Sequence, residues 1–417
     1  MNVYIGLDFG TSGARLIAID DACLLVSEAQ VAFPDIADWT LVWPEALNQL
    51  LLQVPRSLRQ QTRRLAINGT SSTVLLCEED GGPVVAPLLY NDARGMDALE
   101  QVEAIAPPGH LVCSATSSLT KLLWWQQQRR TQYAHQLLHQ ADWLSFLLHG
   151  KMGVTDYHNV LKLGYDGVNL RYPDWLEALD CASLFPKVVA PGTPVATVTA
   201  GVSDRFDLPP DCVVCAGTTD SIAAFIASGA TQPGEAVTSL GSTLVLKLLS
   251  PTPINEGETG VYSHRYGDLW LAGGASNTGG AVLKQFFAVA EIEAISQGID
   301  PTQPSDLDYY PLPKPGERFP HNNPDLEPRL TPRPSNPQAF LQGLLEGIAR
   351  IEAQGYQRLV ALGAPPLQKV YTAGGGAHNP TWMQIRQRIL QRLVLPSPQT
   401  EAAFGTALLA KRQGLTV

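Results

Sequence analysis

The chain opens with two β-rich runs, Val3-Tyr-Ile-Gly-Leu-Asp8 and Ala14-Arg-Leu-Ile-Ala-Ile19, separated by Phe9-Gly-Thr-Ser-Gly13. Two glycines within five residues between such runs predict a hairpin. A similar unit recurs over Leu65–Cys77, and another over Ala236–Leu248, where Gly241-Ser-Thr243 stands in the place of Gly10-Thr-Ser12. A glycine-plus-hydroxyl turn found near the start and again past the midpoint predicts two related halves. Helical periodicity fills the intervals, as in Leu119–Trp125, Asp142–Leu148 and Asp220–Ala227, the last stopped by Gly229. Strands mixed with helices in this way predict an α/β protein. Residues 301–337 hold eleven prolines and predict an irregular, extended excursion between elements. Asn336-Pro337 then starts a long helix through Phe340, Leu344, Ile348 and Ile351 towards Gly363, and Glu401–Ala410 predicts a closing helix. Gly229, Pro233 and Gly234 cluster at the candidate domain boundary near 228–236.

Composition narrows the class. At 417 residues, the chain is long enough for two or three domains, and 45% hydrophobic with 16% charged residues is an ordinary globular balance. The formal net charge of -10 argues against a nucleic-acid or anionic-membrane partner, because such binding rests on neutralising phosphates. Six cysteines are too sparse for a disulfide framework and suggest a reducing compartment. Cys212-Val-Val-Cys215 reads as a buried strand rather than a metal or redox pair, since no second Cys/His pair lies nearby. The N-terminus lacks a basic region ahead of an apolar core, and no apolar run reaches membrane-spanning length. The expected compartment is the cytoplasm, or a plastid-like lumen after loss of a transit peptide.

Three segments could carry chemistry. In Asp8-Phe-Gly-Thr-Ser-Gly-Ala-Arg15, a carboxylate ends a strand and the turn beyond it exposes amide and hydroxyl donors. Such a turn can hold hydrated Mg²⁺ on one side and phosphate oxygens on the other. It is not a Walker loop, and a plain hairpin is the alternative. Cys215-Ala-Gly-Thr-Thr-Asp220 breaks a buried strand at Gly217 and enters a helix with Asp220 in its first turn. There an ionised carboxylate can accept a proton from a substrate hydroxyl, or serve simply as an N-cap. Thr372-Ala-Gly-Gly-Gly-Ala-His-Asn379 follows an apolar run, and its three glycines allow close backbone approach to a ligand. Asn379 and Trp382 could then meet a heterocycle by hydrogen bonding and stacking. The eight histidines show no metal-ligand spacing, and Trp124-Trp125 reads as core.

Taken together, and in order, these segments resemble the FGGY family of carbohydrate kinases over nearly the whole chain. Asp8–Arg15 resembles the family's first phosphate motif, Ala216–Asp220 its second, and Thr372–Gly376 its adenosine motif. Leu89-Tyr-Asn-Asp-Ala-Arg94 is similar to its Trp-x-Asp-x-Arg segment, with Tyr90 in place of Trp. Thr120–Trp124, Gly273–Gly280 and Glu401–Gly405 also fall where the family has matching segments. The resemblance implies a two-domain actin-like (ribonuclease H-like) ATPase fold with an interdomain catalytic cleft. Residues 1–228 would form the N-terminal, sugar-binding domain with the first phosphate motif, and 229–401 the C-terminal, nucleotide-binding domain. The helix 402–417 would pack back on the first. It further implies ATP and Mg²⁺, with Asp220 as general base, Asp8 organising the metal through water, and Asp8, Thr70, Ser71 and Asp220 on the substrate. Gly10, Thr11, Ser12 and Arg15, with Gly241, Ser242 and Thr243, would grip the phosphates, and Gly375, Gly376, Asn379 and Trp382 would bound the adenine.

Two departures qualify the resemblance. The chain is shorter than typical members, and Thr70-Ser71-Ser72 replaces the bulky or charged sugar contacts of glycerol and xylulose kinases. The pattern is most similar to the compact pentulose-kinase branch of plants and cyanobacteria. It implies a ketopentose substrate, D-ribulose first and D-xylulose second, with weak sugar-independent ATP hydrolysis. Another polyol or sugar kinase, a switch ATPase and a sugar sensor are the alternatives. Residues 301–337 are expected near the cleft mouth, and no protein partner is indicated.

Overall fold

The computed structural model describes residues 1–35, 38–413 and 415. The chain forms two units, Met1–Ala227 joined by the late helix Ala402–Arg412, and Ser228–Thr400.

The first unit is built on a hairpin of β1 (Val3–Phe9) and β2 (Gly13–Ile19), extended by β3 (Leu25–Ala32). These three pair antiparallel, while β4 (Thr62–Gly69) joins the other side of β1 in parallel. Val3, Ile5, Leu7 and Phe9 alternate along one face of β1, and all are fully buried. They pack with Trp43, Leu47 and Leu50 of the helix Trp39–Gln53, and with Trp143, Leu144 and Leu148 of the helix Gln140–His149. On the opposite face lies the helix Ala402–Arg412, so close that a Cβ on Gly6 would stand 2.1 Å from the Ala403 carbonyl oxygen. Glycine is the only residue that fits there.

The segment Leu65–Cys77, expected as a second hairpin, is not one. β5 (Val74–Cys77) leaves the large sheet and pairs antiparallel with β6 (Gln136–His139). The reason is that both edges of β4 are occupied, so β5 has no edge on which to fold back. A small parallel pair, β7 (Val154–Asp156) and β8 (Lys187–Val189), follows. The large sheet is completed by β9 (Pro194–Thr197), β10 (Val213–Cys215) and β11 (Thr218–Thr219), the last two parallel to β4. Cys212 and Cys215 are fully buried at this strand, and burial pushes both thiols up to about 12, which leaves them inert.

The second unit repeats the plan. β12 (Glu235–Leu240) and β13 (Leu244–Ser250) form its hairpin, with β14 (Tyr262–Tyr266) and β15 (Leu269–Ser276) antiparallel beyond β13. β16 (Lys369–Ala373) and β17 (Leu393–Pro396) are parallel to β12, as β4 and β10 are to β1. The sequence signal of two related halves therefore has a topological counterpart. The helix Pro337–Ala361 starts with Asn336, whose side chain caps the Gln338 amide at 2.9 Å, and buries Phe340, Leu344, Ile348 and Ile351 against the sheet. Residues 301–336 contain no helix or strand among the described residues. They nevertheless lie in the core, with Tyr309, Leu312 and Phe319 buried. No helix of the described residues is long and apolar enough to cross a membrane.

Candidate active site

In the first unit, three parallel neighbours end together. Asp8 on β1 lies in register with Asn68 on β4, and Asn68 with Thr218 on β11. The loops that leave this edge are Gly10–Ser12, Thr70–Thr73 and the helix beginning at Asp220. The carboxyl edge of parallel strands is where α/β folds place ligands. Asn68 is buried and anchors the edge from beneath, donating to the Leu7 carbonyl at 3.2 Å and to Thr406 Oγ1 at 2.7 Å.

Asp8 is mostly buried, and its Oδ1 has no hydrogen-bond partner. Burial pushes its carboxyl up to about 7, and the nearby carboxylates of Asp220 and Glu401 push the same way, against Arg15. Two carboxylates distant in sequence thus share one field, which favours a cation or a proton between them. Asp220 opens the helix Asp220–Ala227, where its Oδ1 accepts the Ser221 amide at 2.6 Å. The carboxylate thus combines a bond to the adjacent amide with the field it shares with Asp8. Behind it, Thr218 Oγ1 bonds His158 Nδ1 at 2.7 Å, and Asp156 accepts the His158 and Asn159 amides. Arg15, opposite Asp8 in the hairpin, pairs with Glu401 at the solvent-facing side.

Gly10, Thr11 and Thr70 line a cavity of about 140 Å³ with Trp39, Tyr90 and Gln140. Asp8, Ser71 and Asp220 lie outside its lining. Thr70 commits its amide and hydroxyl to Gln140 Oε1 at 2.9 and 3.2 Å, and its hydroxyl also meets Thr73 Oγ1 at 2.5 Å. Ser71 is half-buried, and Ser72 takes a left-handed φ of 66°.

Gln140 and Asn91 were not singled out from the sequence, although Asn91 stands in the Leu89–Arg94 segment that was. Lys162 was missed altogether. Burial pushes its ammonium group down, opposed by Asp220, which puts the cation in the field of that carboxylate. A lysine inside the apolar run Val160-Leu-Lys-Leu163 was the available signal. Of the two tryptophans read as core, Trp125 is buried, whereas Trp124 is only half-buried and carries the Arg94 guanidinium 5.3 Å from its ring centroid. Arg94 in turn grips Asp92.

In the second unit, β12 and β16 end side by side, Ser239 in register with Ala373. The turns that follow abut: a Cβ on Gly374 would lie 2.7 Å from the Leu240 carbonyl oxygen. Gly374 has φ 81° and Gly279 φ 142°, so both need glycine. Gly280 and Ala281 donate their amides to the carbonyls of Gly241 and Ser242 at 2.8 and 3.1 Å. Three glycine-bearing turns therefore meet, with Ser242 and Gly375 exposed.

Asn379 and Trp382 are placed differently from expectation. Trp382 is a core residue whose Nε1 donates to the Leu345 carbonyl at 3.2 Å. Asn379 caps the helix Pro380–Leu390 by accepting the Trp382 amide at 2.9 Å and donates to Ser296 Oγ. Their side chains support the turn, and Trp382 presents no face for stacking.

The sequence reading also missed Glu317, in the proline-rich excursion. It is buried and accepts from Ser276 Oγ at 2.5 Å and from the Asn277 amide at 2.8 Å, which fixes the segment leading into Gly279-Gly280. The excursion thus acts as core and buttress within the second unit.

Comparison with known proteins bears on this geometry. The N-terminal domain of the FGGY family of carbohydrate kinases matches residues 3–227, and its C-terminal domain matches 236–413. A xylulose kinase of Bacillus subtilis is 23% identical over an alignment covering 98% of this chain and 88% of the relative. Among solved structures, Plasmodium falciparum glycerol kinase with ADP superposes with a TM-score of 0.86 at 17% identity, covering 99% of this chain and 90% of the other. The xylulose kinase of Rhodospirillum rubrum gives 0.83 at 20% identity, covering 98% and 89%.

Proposed function

This chain belongs to the FGGY family of carbohydrate kinases, an ATP-using phosphotransferase of the two-domain actin-like ATPase fold, and from that premise we propose that it phosphorylates a hydroxyl of a ketopentose. D-xylulose is placed ahead of D-ribulose, because relatives named xylulose kinases align with nearly the whole chain. The observation that carries the reading is the shared field of Asp8 and Asp220 at the carboxyl edge of β1, β4 and β11.

In this reading Asp220 accepts the proton of the sugar hydroxyl as its oxygen bonds to the γ-phosphorus and ADP leaves. Lys162, in the field of Asp220, favours that carboxylate's ionised form. Thr70, Ser71, Asn91 and Gln140 orient the sugar. The turns Gly10–Ser12 and Gly241–Thr243, whose Gly10 and Gly241 amides close the turns themselves, bind phosphate oxygens through the amides and hydroxyls that follow, and Gly375 and Gly376 lie along the nucleoside. The donor set fits Mg²⁺: Asp8 has an oxygen with no hydrogen-bond partner and a second carboxylate in range. Asp8 would hold the ion through water, and the ion would neutralise phosphate charge.

The test measures ADP release with Mg·ATP across D-xylulose, D-ribulose, aldopentoses, polyols and hexoses. One pentulose is expected to raise turnover well above the sugar-free rate, and Asp220→Ala to lower that increment by about 10²–10⁴-fold while nucleotide binding persists. If no sugar raises turnover, or Asp220→Ala leaves the increment intact, the proposal fails.

A further inference from the structure

Lys121 occupies an unusual position. It lies on the helix Ser118–Gln127 between Leu119 and Leu122 and is fully buried, as they are. Its Nζ donates to the Ser72 carbonyl at 2.8 Å and to the Leu89 carbonyl at 2.6 Å. Among the described residues no carboxylate hydrogen-bonds it. Asp92, the charge that favours its ammonium form, is itself held by Arg94.

Burying a lysine without an ionic partner is costly, and a leucine or methionine would fill the same space without that cost. Burial, together with Lys162 and Arg94, pushes its pKa down to about 7. Charged or neutral, the amine keeps at least two hydrogens, enough for both carbonyls. What Lys121 supplies and an apolar side chain cannot is a common anchor for two chain segments.

Those segments contribute walls to the cavity that Gly10 and Thr11 also line. Ser72 sits two residues after Thr70 in a left-handed conformation that a side chain adopts reluctantly, and its hydroxyl is buried without a hydrogen-bond partner. Leu89 lines the cavity itself and leads into Tyr90 and Asn91, which line it too. The turn after β4 and the loop 89–92 therefore share their anchor in one ammonium group, out of reach of solvent.

We propose that Lys121 is a positioning residue for the sugar, setting the spacing between the Thr70–Ser72 turn and the Leu89–Asn91 loop from behind. This rests on the reading that the cavity lined by Gly10, Thr11 and Thr70 receives the sugar. Without the anchor the two walls relax apart. The binding of the sugar weakens, whereas the nucleotide turns of the second unit are untouched.

The experiment is steady-state kinetics of the full chain with whichever sugar the panel selects. Lys121→Met, similar in length and without donors, is expected to raise the sugar KM at least tenfold, with kcat at saturating sugar and the ATP KM within about threefold. Lys121→Arg, which restores donors, is expected to recover much of the sugar KM. Leu122→Ala destabilises the same helix without freeing either carbonyl, and is expected to leave the sugar KM unchanged even as the thermal midpoint falls. If Lys121→Met does not fold, Lys121→Gln, too short to reach both carbonyls, takes its place with the same rise in sugar KM expected and a wild-type KM overturning the proposal. An equal KM rise in Leu122→Ala, or no recovery in Lys121→Arg, overturns the proposal, as does a Lys121→Met enzyme with wild-type sugar KM. Absence of sugar-stimulated turnover in the wild-type chain overturns the kinase reading instead, and is seen before any variant is made.

Discussion

Asp8 shows how much a single residue can carry that its own segment does not reveal. That a carboxylate at a strand end before a Gly-Thr-Ser turn has a chemical role could be read locally. Its displaced titration could not, because the cause is burial plus Asp220, distant in sequence and adjacent only once β11 lies against β4. The displacement has a definite sign. With a folded-state value near 7 and an unfolded value near 4, the ionised carboxylate destabilises the fold, by nothing below pH 4 and increasingly from there to pH 7. Asp8→Asn is therefore expected to raise stability by roughly 2–4 kcal/mol at pH 8 and by little at pH 4, measured as chemical-denaturation midpoints at both pH values. The same variant should lose most activity. A residue whose removal stabilises the protein while disabling it is a mark of a site held under electrostatic tension for its function. Lys162 and Lys121 were legible only in part: a lysine in an apolar run marks a position, but its partners are set by the fold that surrounds it.

At the scale of elements, what could be read depended on whether the determinant was local. The hairpins β1–β2 and β12–β13 are set by glycines inside their own turns, and both formed where the pattern placed them. Leu65–Cys77 has the same look, but its second strand turned away because β1, β10 and β11 had taken both edges of the first. The proline-rich excursion was legible as irregular chain and illegible as a support, since prolines mark what a segment cannot form and not what it touches. Glu317 is its working part, an acceptor facing the donors of Ser276, Asn277 and Arg318. Glu317→Gln turns an amide group into that cluster of donors. It is expected to cost about 1–3 kcal/mol of stability and to raise the ATP KM several-fold, with the sugar KM unmoved. Initial-rate measurements varying each substrate in turn would show it, and a rise confined to the sugar KM would count against the buttress.

At the scale of the molecule, the two sheets share one plan, yet the first is incomplete without chain from beyond the second. The helix Ala402–Arg412 lies on β1 against Gly6, and a Cβ on Gly405 of that helix would stand 1.9 Å from the Ala223 carbonyl oxygen of the helix Asp220–Ala227. A fragment of residues 1–227 would leave that face of the sheet bare. It is expected to bind ANS and to unfold without a cooperative transition, and a synthetic peptide of residues 401–413 should restore cooperativity when added in excess. Cooperative unfolding of the fragment alone would show that the helix is dispensable. The arrangement also bears on how the protein is made. A ribosome adding ~5–20 residues each second needs roughly 10–35 s after Ala227 to reach the last helix, so the half that emerges first waits, open on one face, for the half that emerges second. The N-terminal unit is begun first and finished last, and in the interval it is the natural client of a chaperone.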